Sequence, residues 1–250
     1  MQDSKERFTP HVENYVRYRP GYPAEAVDCL VQTCGLAQGC AVADIGAGTG
    51  KLSRLLLARG LTVFAVEPNA AMRAAAEEAL GKIPGFYSVA APAEDTGLRA
   101  ATIDCVTAAQ AFHWFDPVQF RAECRRILKP GGKVALVWNQ RDVADPFMQT
   151  YEAILQAHHN ETPNQTAKEL NEVVFAHFFA GGYQTHRFTS FQSFDYEGLL
   201  GRVLSSSYAP LPGHPQHNPL KAALRALFEQ HQQNGQVRFA YDTKVFVGTP

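Results

Sequence analysis

A glycine-rich run, Asp44-Ile45-Gly46-Ala47-Gly48-Thr49-Gly50, and a carboxylate, Glu67, are the residues whose types and spacing most directly suggest chemistry. Glycines let a backbone turn tightly and come close to a ligand. The dinucleotide fingerprint is G-x-G-x-x-G. Counted from Gly46, its third glycine falls on Lys51, so the spacing here is G-x-G-x-G. Such a loop makes less provision for a pyrophosphate. Glu67 closes the apolar run that starts at Thr62. A carboxylate there can accept hydrogen bonds from both hydroxyls of a ribose, as in other nucleoside-binding α/β sheets. The alternative is a solvated charge at a strand end.

A second group is aromatic and basic. His113 and Trp114 follow the apolar run Ile103–Ala108, where ligands gather in parallel sheets. His113, with an ordinary pKa near about 6.5, is the candidate general base and lines the site. Trp114 is a candidate wall; the competing reading is a satisfied loop histidine and a core aromatic. Asn139 and Arg141 follow the next apolar run, and Arg141 could bind an acidic substrate or be a solvated charge. Tyr15, Tyr18, Arg19 and Tyr22 precede the glycine loop. They form either a lid, with Arg19 meeting a ligand carboxylate, or a packing arm. Ser205-Ser206-Ser207-Tyr208 reads as loop rather than chemistry. His158-His159 and the pair His214 and His217 lack companions for a metal site, and none is expected.

The elements that must position these residues alternate. Ala41–Ile45, Thr62–Val66, Phe86–Ala90, Ile103–Ala108 and Lys133–Trp138 read as strands. Helices are predicted from Lys51 to Arg59 and from the face Met72, Ala75, Ala76, Ala79 and Leu80, with Asn69 as cap. Another opens at Asp116-Pro117, with Phe120, Cys124, Ile127 and Leu128 inward, and breaks at Lys129-Pro130-Gly131-Gly132. Beyond these come a helix from Asp145-Pro146, one near Lys168–Phe179, and a strand over His186–Phe194. Two more helices, opened by Asp195 and by Asn218-Pro219, lead to a last strand from Val237 to about Val247. This βα alternation is the pattern of a parallel sheet with helices on both faces.

The 250 residues carry 23 Lys and Arg against 24 Asp and Glu, a net charge of −1. That balance argues against a nucleic-acid partner, which needs a basic surface, and favours a small-molecule ligand. Apolar residues make up 46%, enough for a core. No run approaches the ~20 apolar residues of a membrane helix, and Met1–Arg7 lacks a secretory signal. The five cysteines, Cys29, Cys34, Cys40, Cys105 and Cys124, form no C-x-x-C pair, so a reduced, cytoplasmic setting is expected. A monomer or a homodimer is expected.

With these residues in order, the chain resembles the class I S-adenosylmethionine-dependent methyltransferases over roughly 40–139. Asp44–Gly50 is similar to that family's first motif, and Val66-Glu67-Pro68-Asn69 with Met72 to its second. Ala93-Glu94-Asp95 resembles the adenine-side segment, Gln110–Phe115 the segment beside the methionine moiety, and Pro130-Gly131-Gly132 the turn before the fifth strand. Tyr15–Pro23 together with Ala111–Asp116 resembles the small-molecule "type 11" branch. The fungal trans-aconitate methyltransferases are distant relatives in it, and their substrate does not carry over.

The resemblance implies a Rossmann-like, mostly parallel sheet of seven strands whose last strand is antiparallel. It implies one domain over 1–250: an arm and lid (1–39), a cofactor-binding core (40–139), and a part that completes the sheet and caps the substrate (140–250). It implies S-adenosylmethionine as cofactor and S-adenosylhomocysteine as product. Asp44, Gly46, Ala47, Gly48 and Gly50 would hold the methionine end, with Gln110, Tyr15 and Arg19 beside it. Glu67 would take the ribose, with Pro68 and Met72 alongside. Ala93 and Glu94 would flank the adenine. His113, Trp114, Asn139 and Arg141 would line the acceptor site, for which a carboxylic acid is one class that needs no base. Two rivals stay open: a nicotinamide-dependent oxidoreductase, against which Lys51 counts, and a sensor that binds the sulfonium nucleoside without transferring methyl.

Overall fold

The computed structural model describes residues 12–158, 172–206 and 208–250. The readings that fall on Met1–Arg7, His159, Ser207 and the first part of the helix near Lys168 lie outside these residues. The strands are β1 (Ala41–Ile45), β2 (Thr62–Val66), β3 (Phe86–Val89), β4 (Ile103–Ala109), β5 (Leu128–Arg141), β6 (Tyr183–Phe194) and β7 (Val237–Gly248). They form one sheet in the order β3-β2-β1-β4-β5-β7-β6. β1 pairs parallel with β2 and β4, β2 with β3, and β4 with β5. β7 runs antiparallel to both of its neighbours. The strand order reverses between β1 and β4, so the carboxyl ends there open a crevice for ligand.

Around the sheet lie α1 (Val12–Tyr18), α2 (Ala24–Cys34), α3 (Lys51–Leu57), α4 (Ala70–Leu80), α5 (Pro117–Ile127), α6 (Pro146–His158), α7 (Glu172–Phe178), α8 (Tyr196–Leu204) and α9 (His217–His231). Strand residues alternate between two cores. Ala43, Ile45, Val106, Ala108, Val134 and Leu136 meet Phe120, Cys124 and Ile127 of α5 and Phe175 and Phe178 of α7. Val42, Val63, Cys105, Ala135, Val137 and Val245 meet Ala26, Val27 and Leu30 of α2 and Leu52 and Leu56 of α3. Both faces are covered, which is why β1 and β4 read as continuous apolar runs rather than alternating ones. A third cluster joins α6, α8 and α9 to Val237, Phe239 and Tyr241 at the start of β7.

Local signals explain most helix starts. Asn69 accepts from the Met72 amide at 2.9 Å, and Asp195 from the Gly198 amide at 2.7 Å. Asp116 accepts from Val118 and Gln119, with Pro117 at the first helical position. Asp145 accepts from the Met148 amide at 3.1 Å.

Several boundaries differ from the sequence reading. Ala24–Cys34, within the expected arm, is a helix packed into the sheet face. Ala79 points to solvent, because the inward stripe of α4 is Met72, Ala76 and Leu80. Lys129–Gly132 does not separate helix from strand by a free turn. β5 starts at Leu128, which pairs with Ile103, and a register shift follows in the partner. It also runs on to Arg141, paired to Tyr241 of β7. α9 begins at His217, just before the Asn218-Pro219 pair.

Candidate functional site

Two joined cavities open at the carboxyl ends of β1, β2, β4 and β5. The smaller, about 130 Å³, lies over the glycine loop and the end of β2. The larger, about 640 Å³, extends toward α6 and α8. Tyr15, Gly46, Ala109 and Gln110 line both.

The glycine loop is braced from within. The Gly46 and Ala47 amides donate to the Val66 carbonyl at 2.9 and 3.1 Å. The Gly48 amide donates to Glu67 Oε2 at 2.9 Å, and the Asn69 amide donates to Glu67 Oε1 at 2.8 Å. Gly46 has φ +67°, and a Cβ there would stand 2.5 Å from Ala111 Cβ. Only glycine fits such a position. Gly50, at φ +77°, serves packing: its Cβ would meet Leu80 at 2.5 Å, and it lines neither cavity. Three amides that could cradle a pyrophosphate are therefore committed to the protein.

Asp44 lies beneath this loop, 1% exposed. Ser53 Oγ donates to its Oδ2 at 2.6 Å and Thr107 Oγ1 to its Oδ1 at 2.9 Å. Burial pushes its pKa up to about 6, against the pull of those hydrogen bonds. It lines the larger cavity but is bound downward, as a brace between β1, α3 and β4. Burial also raises the Glu67 pKa, opposed by the amides of Asn69 and Gly48. Each Glu67 oxygen spends one lone pair on an amide and keeps another for a ligand.

The smaller cavity's far wall is Pro68, Met72, Ala93, Glu94, Trp114 and Phe115. Glu94 Oε1 accepts from the Asp116 amide at 2.8 Å, which fixes it at the rim. Trp114 thus stands on this side, and Trp138 takes the wall position in the larger chamber. Gln110 has φ +56°, a left-handed conformation rare for a residue with a side chain. Its Nε2 donates to the Asn139 carbonyl at 2.8 Å, tying β4 to β5 at the junction of the cavities.

The larger chamber is lined by Arg19, Lys51, Arg141 and Arg202 and by the carboxylates Asp44 and Glu152. α1 closes over it: Lys51 Nζ donates to the Val16 carbonyl at 2.9 Å, and Gln192 Nε2 to the Tyr18 carbonyl at 3.4 Å. The Arg19 guanidinium lies 5.2 Å from the Tyr15 ring. Its Nε donates to Ser205 Oγ at 3.0 Å, and its Nη2 to the Ser205 carbonyl and Ser206 Oγ at 3.1 and 3.2 Å. Ser205 and Ser206 are therefore buried anchors of the arm and not free loop. Asn139 is a tie as well. Its Nδ2 donates to the Gly21 carbonyl at 2.9 Å, and Thr243 Oγ1 donates to its Oδ1 at 2.6 Å.

Arg141 forms a two-pronged ion pair with Glu152 and donates to the Tyr208 hydroxyl at 3.0 Å. Its positive charge is thus partly neutralised. Tyr208 is pulled down to about 8: burial works against this, and Arg141, Arg19 and Arg202 outweigh it. His113 stands between Trp114 and Trp138, with ring centroids 4.6 and 4.9 Å away. Burial, then Arg19, lowers its pKa to about 4, and its Nδ1 is buried without a partner. Arg202, Tyr208, Trp138 and Glu152 are site residues that the sequence reading did not select. No local pattern marks them, since they meet only through the fold.

Comparison with known proteins agrees with this geometry. A "Methyltransferase domain" family model matches residues 43–136. An uncharacterized methyltransferase of Mycobacterium bovis is 42% identical over 141 residues, 56% of this chain and 55% of that protein. The chain thus matches about half the length of that relative. An uncharacterized methyltransferase of Geobacillus thermodenitrificans is 31% identical over 157 residues, 59% of this chain and 69% of that protein. The chain belongs to the class I S-adenosylmethionine-dependent methyltransferases. A solved structure described as a type II methyltransferase of Anaeromyxobacter dehalogenans superposes with a TM-score of 0.69. It is 24% identical and covers 93% of this chain and 98% of that one, a likeness of fold alone. Membership in the methyltransferase family accounts for the strand order, the antiparallel β7 and the G-x-G-x-G spacing together. Among the described residues no helix is long and apolar enough to cross a membrane, and no cluster of metal-ligating side chains occurs.

Proposed function

We propose that the protein transfers a methyl group from S-adenosylmethionine to a small-molecule acceptor. The single observation that carries this reading is the pair of joined cavities, one built for a nucleoside and one wide enough for a second molecule, meeting at Gly46 and Gln110. When bound, the donor supplies an already activated methyl on a positive sulfur. The residues that would hold it fit. Glu67 keeps acceptor capacity for the ribose hydroxyls. Ala93, Met72 and Phe115 offer an apolar slot for the adenine, with Glu94 at its edge. Thr49 Oγ1 is buried without a partner beside the loop, as a ligand-facing hydroxyl would be.

The chain's own task is then to position and to exclude water. Alignment of reactants can supply roughly 7–11 kcal/mol in favourable systems. Tyr15 and Arg19 close the arm over the junction, and Ser205 and Ser206 hold Arg19 in place. His113 is neutral at ordinary pH and a weak proton acceptor, since its pKa lies near 4. A carboxylic acid, which needs no proton removed, suits such a chamber. Should the acceptor be a hydroxyl or amine, Tyr208, which lines the same chamber and has a pKa near 8, is the stronger base of the two. We place the enzyme in a reducing, cytoplasmic setting, because its five cysteines form no C-x-x-C pair and no even disulfide framework.

The test is transfer of labelled methyl from S-adenosylmethionine to a metabolite mixture. Appearance of one labelled small molecule is the expected result. Binding without any transfer would favour the sensor.

A further inference from the structure

Arg202 is 3% exposed and lines the larger chamber. Its Nε donates to the Tyr241 hydroxyl at 3.0 Å, and that hydroxyl donates onward to Gln192 Oε1 at 2.8 Å. The guanidinium lies 5.2 Å from the Phe239 ring and 5.9 Å from the Tyr241 ring. One terminal nitrogen, Nη1, is buried with no partner. Among the described residues Arg202 joins none of the ion pairs. A buried guanidinium without a counter-charge is costly, and proteins seldom keep one without a use for it.

A second unsatisfied group lies in the same cluster. The Tyr151 hydroxyl, on a side chain that is 0% exposed, has no partner either. Arg202, Tyr208, Arg141 and Tyr241 are its electrostatic neighbours. Arg19 adds a third guanidinium, held by neutral serines. Of the three arginines, only Arg141 has a carboxylate, Glu152. One chamber in a chain of net charge −1 thus concentrates unbalanced positive charge.

We propose that the acceptor carries an anionic oxygen group, a carboxylate or a phosphate, that seats against the Arg202 guanidinium beside Arg141 and Tyr208, all three of which line the chamber. The anion supplies the counter-charge the protein lacks. It gives Arg202 an acceptor for the nitrogen left without a partner, and charge-assisted hydrogen bonds to a planar guanidinium favour this ligand chemistry. The group serves as a handle that sets which end of the acceptor faces Gly46 and Gln110. This inference rests on the methyltransferase reading for what the site is used for, and not for the existence of the anion site.

The experiment is calorimetric titration of succinate, inorganic phosphate and uncharged succinamide into the protein, alone and saturated with S-adenosylhomocysteine. At least one anion is expected to bind and succinamide not. Which anion binds distinguishes a carboxylate from a phosphate handle. Arg202→Met should weaken that binding roughly 10- to 100-fold, with S-adenosylhomocysteine affinity unchanged and an unfolding temperature equal or higher, since an unpaired buried charge is gone. Should Arg202→Met not fold, Arg202→Lys reads the same loss through its missing planar fork. Absence of binding by both anions, equal binding of succinamide, or full affinity in the folded variant would overturn the proposal. Failure of S-adenosylhomocysteine to bind would instead sink the donor reading, while the anion titration on the protein alone still decides this one.

Discussion

The two cavities are built in opposite ways. The smaller is assembled from segments that each follow a strand: Gly46 and Gly48 after β1, Glu67–Asn69 and Met72 after β2, Pro92–Glu94 after β3, and Gln110–Phe115 after β4. Its contacts are mostly backbone to carboxylate, and Gly46 is fixed by its close approach to Ala111. The larger is assembled from distant pieces of chain. Arg19 meets Ser205, Arg141 meets Tyr208, and Asn139 meets Gly21. The smaller cavity is thus set by local backbone geometry, which tolerates little change. The larger is set by side chains and their charges, brought together from distant parts of the chain.

The largest effect should come from breaking the local geometry. Gly46→Val places a side chain 2.5 Å from Ala111 Cβ at a positive φ. Overpacking and backbone strain together should cost about 2–4 kcal/mol. Urea unfolding should show that loss, and S-adenosylhomocysteine binding should vanish in whatever protein remains folded.

Ser53→Ala tests the same half more gently. It removes a buried 2.6 Å donor to Asp44 and should cost about 1–3 kcal/mol at pH 8. The sign of its pH dependence follows from Asp44. Because burial raises that group to about 6, the fold binds its proton more tightly than the unfolded chain does, and its contribution to stability falls as pH rises through about 6. Losing Ser53 raises the folded pKa further. The gap between variant and wild type should therefore shrink below pH 6, and denaturant curves at pH 5 and 8 check it.

Smaller effects probe the charge-built half. One of the nine tyrosines, Tyr208, should ionise near pH 8 by ultraviolet absorbance. Arg141→Gln should move that titration upward, because a cation that favours the phenolate is lost. Last, His113 should stay neutral by NMR until about pH 4. A ring titrating near its ordinary value would put it in solvent and away from Arg19.

The same contrast explains what can be read from the residues alone. β1 and β2 are legible to the residue, since Ala41–Ile45 and Thr62–Val66 are short apolar runs set between turn glycines, Gly39 and Gly46 around the first and Gly60 before the second. Asn69, Asp116 and Asp195 announce helix starts through contacts within three residues. Helix α2 carried signals of this kind, Pro23 before it and Gly35 at φ +68° after it, with Ala26, Val27 and Leu30 on one face. The serines are different. Ser205 and Ser206 look like loop because what makes them structural, Arg19, lies 186 and 187 residues away. Arg202 carries no local mark either; its significance lies in a nitrogen left without a partner.

Glu67 is the residue on which donor binding depends most directly. Titration of S-adenosylhomocysteine into the protein and into Glu67→Ala, each shown folded by circular dichroism, tests it. The wild type should bind at one site. The variant should bind more weakly by roughly 1.5–3 kcal/mol, the worth of hydrogen bonds to a charged acceptor. No binding by the folded wild type, or unchanged affinity in the folded variant, would contradict it.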